Sequence, residues 1–195
     1  MFGEIELGIE FFEGLTAIDQ AIVERAAAEA CPHCGGPLYR GDYPRKPRGG
    51  FLARHGENFC RRFSLCCGRD GCRRRATPPS VRFLGRRVYV GASVIVASAV
   101  ALAATTASAA RRATGIAART TRRWLRWWRG PFVATRTFVE LAARFAAPLE
   151  RTALPASILE KLAGPLSARV EALLGWLAPL TSTAPDRSRW LRGLG

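Results

Sequence analysis

The sequence predicts a mainly α-helical protein that contains one small β module. Three features favour this class. Gly, Pro and paired Cys interrupt helical periodicity between residues 31 and 80, an uncharged Ala-rich run and a basic amphipathic stretch follow over 81–130, and apolar segments broken by prolines occupy 131–195. We therefore divide the chain into four regions: a lead-in helix (1–30), the cysteine module (31–80), a three-helix domain (81–130) and a C-terminal helical region (131–195).

The charge of the chain is concentrated in its centre. The 195 residues carry a formal net charge of +15, yet the first thirty are acidic and residues 31–130 hold most of the basic side chains. A localised excess of Arg is typical of proteins that bind polyanions, since the release of counterions gives affinity for any phosphate backbone. Abundant Arg and Ala are also typical of a GC-rich coding sequence. The evidence for polyanion binding is therefore the concentration of the charge in one part of the chain, and not the number of arginines. An apolar content of 48% excludes a wholly disordered chain.

The first region is predicted to form a helix over AIDQAIVERAAAEA. Asp19 is expected in its first turn, where a carboxylate interacts favourably with the helix dipole. The N-terminal residues lack the basic and apolar segments of a secretory leader, so we expect a cytoplasmic protein. In that reducing compartment, cysteines bind metal or remain free more often than they form disulfides.

Two cysteine pairs predict a metal site. Cys31 and Cys34 form a C-x-x-C turn followed by two glycines, and Cys67 and Cys72 enclose a second glycine-containing turn after the strand-like RFSLC. Four thiolates at such spacings are the ligands of a tetrahedral zinc site. The fold class is therefore mainly α with a small β zinc ribbon. The Zn²⁺ is predicted to be structural, because four thiolates leave no position for a reacting water.

One ligand has an alternative. Cys66 competes with Cys67, since neighbouring residues of a strand point to opposite faces and only one of them can face the metal. Cys60 precedes the strand and lies outside both turns, so it is predicted to be a bystander. His33 lies between two ligands and is predicted to point away from the ion.

Residues 88–110 contain no charge and are long enough to cross a bilayer as a helix. However, Ala, Ser, Thr and Gly dominate the run, and arginine pairs flank both of its ends, so the positive-inside rule assigns no orientation. We therefore predict the buried helix of a small helical domain, with a membrane span as the alternative.

A helix-turn-helix is predicted in the basic stretch SAARRATGIAARTTRRWL. Gly115 takes the left-handed turn between two helices, and Ile116 fills the space between them. Thr121, Trp124 and Leu125 recur at spacings of three and four and form the buried face. The side chains predicted on the open faces, as DNA contacts, are Arg119, Thr120, Arg122, Arg123 and Arg126. An ordinary basic amphipathic helix that binds RNA or a membrane surface is the alternative.

Three segments together resemble the N-terminal region of insertion-sequence transposases, in which a zinc ribbon precedes a helix-turn-helix. They are CPHCGGPL, RFSLCCGRDGCRRRATPPSVRFLGRRVY and ATGIAARTTRRWLRWW. The resemblance implies binding to transposon-end DNA, with the metal ligands carried over as Cys31, Cys34, Cys67 and Cys72. It also implies base or phosphate contacts from Arg119, Arg122 and Arg123. Phosphate contacts are further expected from the basic residues after the last cysteine, Arg73, Arg74 and Arg75.

The sequence departs from that family after residue 131. Catalytic domains of such transposases hold two metal ions with three carboxylates on an RNase-H-like sheet, whereas the acidic residues here lie on helical segments interrupted by prolines. We predict neither an enzyme nor a small-molecule substrate. We expect a nucleoid-associated accessory or regulatory protein that binds double-stranded DNA, with residues 131–195 used for self-association or for contact with a transposase subunit. An RNA-binding zinc-ribbon protein, or a small membrane-associated protein spanning 88–110, is the alternative.

Overall fold

Helices make up most of the fold. The computed structural model describes residues 8–45, 57–84, 89–104 and 106–182. The α-helices in these ranges are α1 (Ile9–Ala28), α2 (Gly91–Ala103), α3 (Ala107–Thr114), α4 (Ala118–Trp127), α5 (Arg136–Ala142), α6 (Ala156–Glu160) and α7 (Leu166–Leu177). The strands are β1 (Leu38–Arg40), β2 (Tyr43–Pro44), β3 (Arg61–Arg62), β4 (Leu65–Cys67), β5 (Arg75–Ala76), β6 (Phe83–Leu84) and β7 (Tyr89–Val90). The predicted mainly helical class with a small antiparallel sheet is confirmed.

The cysteine module is built on a three-stranded antiparallel sheet. Its strand order is β1-β4-β5, and its register pairs Leu38 with Cys67 and Leu65 with Ala76. These four side chains share one face of the sheet, and that face is buried. The residues of α1 that cover it are Ile22, Val23 and Ala26. The module therefore shares its small apolar core with the lead-in helix.

Helix α2 forms the centre of the helical body. Its residues 91–100 are buried, and it contacts α3, α4, α6 and α7. Gly91 lies so close to α7 that a Cβ at this position would stand 2.4 Å from Leu174 Cδ2. The side chains with which α7 completes this core are Val170, Leu173, Leu174 and Leu177. Apolar residues of the C-terminal region are thus packed into the same core as α2 and α4.

The uncharged run of the sequence is divided among β7, α2 and α3. In the ranges that the structure describes, no helix has both the length and the apolar character needed to cross a bilayer.

The expectation for Asp19 is wrong. Helix α1 begins at Ile9, because the preceding apolar residues extend it and bury Phe12 against the helical body, so Asp19 lies in the middle of the helix. Its carboxylate is buried, and it accepts hydrogen bonds from Ser80 Oγ (2.5 Å) and Val81 N (2.7 Å). It also forms an ion pair with Arg82 Nε at 2.8 Å. Asp19 therefore binds a distant segment instead of capping a helix.

A second buried arginine lies near this ion pair. Arg62 donates from Nη2 to the carbonyl oxygen of Pro78 at 2.5 Å. Burial lowers the pKa of Arg62, and the negative charge of Asp19 opposes that shift. The single carboxylate of Asp19 therefore offsets part of the cost of burying two guanidinium groups, those of Arg62 and Arg82.

We expect the Asp19→Ala substitution to destabilise the protein by about 3–5 kcal/mol, because it leaves the Arg82 guanidinium buried without its counter-charge. Urea unfolding of the metal-replete protein measures this loss. Glu13→Ala is the matched control, since Glu13 lies exposed on the same helix. Equal unfolding midpoints for the two variants would show that the ion pair contributes no stability.

Candidate metal centre

The first pair of cysteines is held by a tight turn. Gly35 N donates to Cys31 O, and Cys31 N donates to Gly36 O, each at 2.8 Å. Gly35 has a φ of +69°, a left-handed conformation in which a side chain would be strained. The CPHCGG sequence therefore brings the Cys31 and Cys34 thiols to one side of the turn.

The second pair closes a turn at the end of β4. Cys72 N donates to Arg69 O at 3.1 Å, and Gly71 reverses the chain with a φ of +83°. Cys67 N donates to Arg74 O at 3.0 Å, which returns the chain towards β5. The turn places the Cys72 thiol near that of Cys67, as the sequence predicts.

The four predicted sulfur atoms meet. The thiols of Cys31, Cys34, Cys67 and Cys72 all lie within 4.8 Å of one another. Two of the separations are 4.0 Å (Cys31 to Cys72) and 3.5 Å (Cys34 to Cys67). Four sulfurs at the Zn–S distance of about 2.3 Å on a tetrahedron are about 3.8 Å apart, whereas a disulfide needs about 2.05 Å. The cluster fits a tetrahedral ion and contains no disulfide. The predicted grouping of these cysteines is confirmed.

The sheet register explains why Cys67 and not Cys66 belongs to the cluster. Cys66 pairs with Tyr39 and lies on the opposite face from Leu65 and Cys67. Its sulfur lies beside Gly41, where an added Cβ would be only 2.7 Å away. Cys60 ends a short 3-10 helix and is not a member of the cluster.

Arg69 connects the two turns, a role that its position in the sequence does not predict. Its Nη1 donates to Cys34 O at 2.7 Å, and its backbone N lies 3.4 Å from Cys67 Sγ. Gly36 permits this approach, because a Cβ there would stand 2.9 Å from Arg69 Cβ. Hydrogen bonds that orient ligands in this way support a metal site beyond the ligands themselves. The signal in the sequence is only that Arg69 lies inside the second turn.

The thiols differ in their affinity for protons. A hydrogen bond from the Gly36 backbone, helped by the neighbouring thiols, lowers the pKa of Cys34 to about 7. The Arg69 backbone lowers the pKa of Cys67, but burial and hydrogen bonds with the other three thiols outweigh it and raise that pKa to about 12. Of these two thiols, Cys34 therefore gives up its proton more readily. Four thiolates together would occupy every position of a tetrahedral ion and leave none for substrate.

The arginines predicted beside the cysteines are exposed. Arg73 Nη2 forms an ion pair with Asp70 at 2.6 Å, and Arg74 Nη1 lies 3.4 Å from His33 Nδ1. Arg75 Nη1 donates to Gly41 O and to Ser64 Oγ, each at 2.6 Å. A guanidinium has five donors, so each of these side chains retains hydrogen-bonding capacity.

The side chains predicted to contact DNA on α4 fall on one side of that helix. Arg119, Arg122, Arg123 and Arg126 are exposed, and Thr120 is half-buried. On the opposite side Thr121 and Trp124 are buried, while Leu125 is only half-buried.

No protein-family model, curated protein or solved structure matches this chain. The resemblance to insertion-sequence transposases stays a prediction from sequence motifs.

The cluster predicts that the Cys67→Ser protein will bind less than one equivalent of zinc, whereas Cys66→Ser will bind one equivalent. The two residues are adjacent on β4, but only the Cys67 sulfur lies in the cluster. Elemental analysis of both proteins after zinc loading measures the difference, and the absorption of the cobalt-substituted proteins reports tetrahedral thiolate ligation. Loss of zinc from Cys66→Ser alone would contradict the assignment.

Proposed function

We propose that the protein binds double-stranded DNA through a helix-turn-helix formed by α3 and α4, and that a structural zinc ion holds the cysteine module. The observation that carries the proposal is the arginine face of α4, which we define as Arg119, Arg122, Arg123 and Arg126. Successive helical residues are about 100° apart, so spacings of three and four place all four arginines within about a third of the helix surface. The face extends about 10 Å along the helix axis.

The chemistry of this face suits DNA. The planar guanidinium group presents paired donors that match guanine edges in the major groove and also phosphate oxygens. An α-helix fits the width of the major groove, and side chains on its outer face can then reach base edges. Arg111 and Arg112, which are exposed on α3, add positive charge beside this face. Their contribution would be affinity for the backbone more than selectivity.

The turn between the two helices supports the proposal. Gly115 ends α3 with a φ of +66° and donates to Arg111 O at 2.8 Å. Thr114 Oγ1 accepts a hydrogen bond from Ile116 N at 3.2 Å, and Ile116 is buried. These contacts fix the angle between α3 and α4, which a recognition helix requires because base contacts depend on orientation.

Helix α4 is also fixed to the core at its far end. Trp128 is fully buried, and its Nε1 donates to Ser98 Oγ of α2 at 3.2 Å. Its ring packs edge-to-face on Phe132 with centroids 4.9 Å apart. The backbone of α4 is therefore anchored to the core, and binding would cost mainly the rotamer freedom of its exposed arginine side chains.

The four clustered cysteines would hold the proposed zinc ion. Zinc bound by four thiolates supplies folding free energy and no catalysis, because its coordination is complete. The closed coordination gives the ion no catalytic role. We propose an accessory or regulatory DNA-binding protein without nuclease activity because the sequence after residue 131 does not show the three-carboxylate pattern of the transposase catalytic domains. The arginines that follow Cys72 would be held near the ion and would contact phosphates.

The arginine face predicts a loss of selectivity in the Arg122→Ala variant. We expect its affinity for the preferred duplex to fall by roughly 5- to 150-fold, the equivalent of about 1–3 kcal/mol for one bidentate base contact. Selection from random duplexes identifies the preferred site, and fluorescence anisotropy then measures the affinity of the zinc-loaded proteins. Arg122→Lys keeps the charge but lacks the fork, so it should lose most of the selectivity and retain affinity for random duplexes.

Arg136→Ala serves as the control, since Arg136 is exposed on α5. If no site is enriched for the folded, zinc-loaded protein, α4 is not a recognition helix. Tighter binding to structured RNA than to any duplex would favour the RNA-binding alternative instead.

Neutralising the cysteine module's arginines should have a different effect. We expect the Arg73→Gln/Arg74→Gln protein to bind all duplexes more weakly, with the ratio between preferred and random sites unchanged. Its plot of log affinity against log salt concentration should flatten by about 0.9 for each phosphate contact that is lost. An unchanged salt dependence would show that these side chains do not contact the backbone.

A further inference from the structure

The outer face of the three-stranded sheet carries an exposed aromatic ring. The register places Tyr39 opposite Cys66, and Cys66 opposite Arg75, so these three side chains form one row across β1, β4 and β5. The other face of the sheet packs against α1. Tyr39 is 63% exposed, although an aromatic side chain usually gains free energy when it is buried. One face of the ring is therefore open to a planar group.

The backbone beneath the ring holds it without covering it. A Cβ at Gly68 would stand only 2.3 Å from Tyr39 Cε2, so the ring edge lies directly against this glycine. Gly68 N in turn donates to Pro37 O at 2.9 Å, which fixes the turn below the ring. A ring that is positioned before binding loses little conformational entropy when a planar group stacks on it.

Positive charge lies on the same sheet as the ring. Arg75 lies two strands away, which is about 10 Å, and its Cζ is 4.9 Å from the centre of the Tyr43 ring. Arg45 lies 4.6 Å from the centre of the same ring and donates to Tyr43 Oη at 3.0 Å. Guanidinium groups held in this way can still donate to phosphate oxygens. The sheet therefore carries a stacking ring on β1 and a guanidinium two strands away on β5, and the Arg45 guanidinium contacts the same Tyr43 ring as that of Arg75.

We propose that this face binds single-stranded nucleic acid, with Tyr39 stacked on an unpaired base and Arg75 and Arg45 bound to neighbouring phosphates. In a duplex the faces of the bases are stacked on each other, so a ring on a flat sheet reaches them only when a strand is unpaired. Every base has such a face, so the surface binds with little sequence preference. DNA and RNA single strands share this chemistry. The interaction does not involve α4 and goes beyond the proposed duplex binding.

The test uses the full-length, zinc-loaded protein with three labelled ligands of equal length: oligothymidine, oligouridine and a random duplex. We expect the Tyr39→Ala substitution to weaken binding of at least one single strand by roughly 5- to 100-fold, as for the loss of one stacked base. The Tyr39→Phe protein keeps the ring and should bind within about twofold of wild type. Both variants should bind the duplex like wild type.

A 2-aminopurine base in the single strand supplies a second readout, since stacking quenches its fluorescence. Quenching should persist with Tyr39→Phe and be lost with Tyr39→Leu, because leucine keeps apolar bulk but has no π face. The Tyr39→Leu variant also replaces Tyr39→Ala in the binding assays if the Ala variant fails to retain zinc. Wild-type affinity of a folded Ala or Leu variant for both single strands overturns the proposal. So does an equal loss on single strands and duplex. Failure of the proposed helix-turn-helix is seen separately, in the Arg122 variants with duplex alone.

Discussion

A single buried carboxylate joins the cysteine module to the helical body. Asp19 of α1 binds Ser80 and Arg82, which lie more than sixty residues away in the chain. The same segment is attached to the C-terminal end of the fold, because Ser80 N donates to Thr181 Oγ1 at 2.8 Å. In a low-dielectric interior this arrangement is favourable only while carboxylate and guanidinium are both present. The ion pair therefore adds to the apolar packing of α1 in fixing the positions of these elements.

Two further contributions to the stability of the cysteine module act on one strand, β4. Leu65 of β4 is buried against α1, while Cys67 of the same strand lies in the thiol cluster. A metal ion bound by that cluster would stabilise only the folded state, and α1 supplies apolar surface that so small a module lacks by itself. Metal binding and the packing of α1 therefore stabilise the same strand.

Features set by local spacing could be predicted from the sequence. Strand alternation showed that only one of Cys66 and Cys67 could face the metal, and the sheet register then assigned Cys67. Gly115 marked the end of α3. Asp19 was misplaced for two reasons: the apolar residues before it lengthened the helix, and its partner Arg82 comes from a segment with no local signal. Arg69 could not be assigned to the metal centre, since nothing in its neighbours shows that its guanidinium reaches Cys34 O. Contacts between distant segments were thus the part that the sequence left undetermined.

The crowding around α2 restricts which substitutions this helix can accept in related chains. Ten consecutive residues of this helix are buried, and at Gly91 even a methyl group would collide with Leu174. A larger side chain on α2 would force neighbouring side chains off their rotamers or shift the backbone. The outward positions of α4 are exposed, so exchanging Arg119 or Arg126 leaves the core unchanged. During divergence, substitutions should accumulate quickly on the outer side of α4 and slowly along α2, so that one scaffold can acquire new surface preferences.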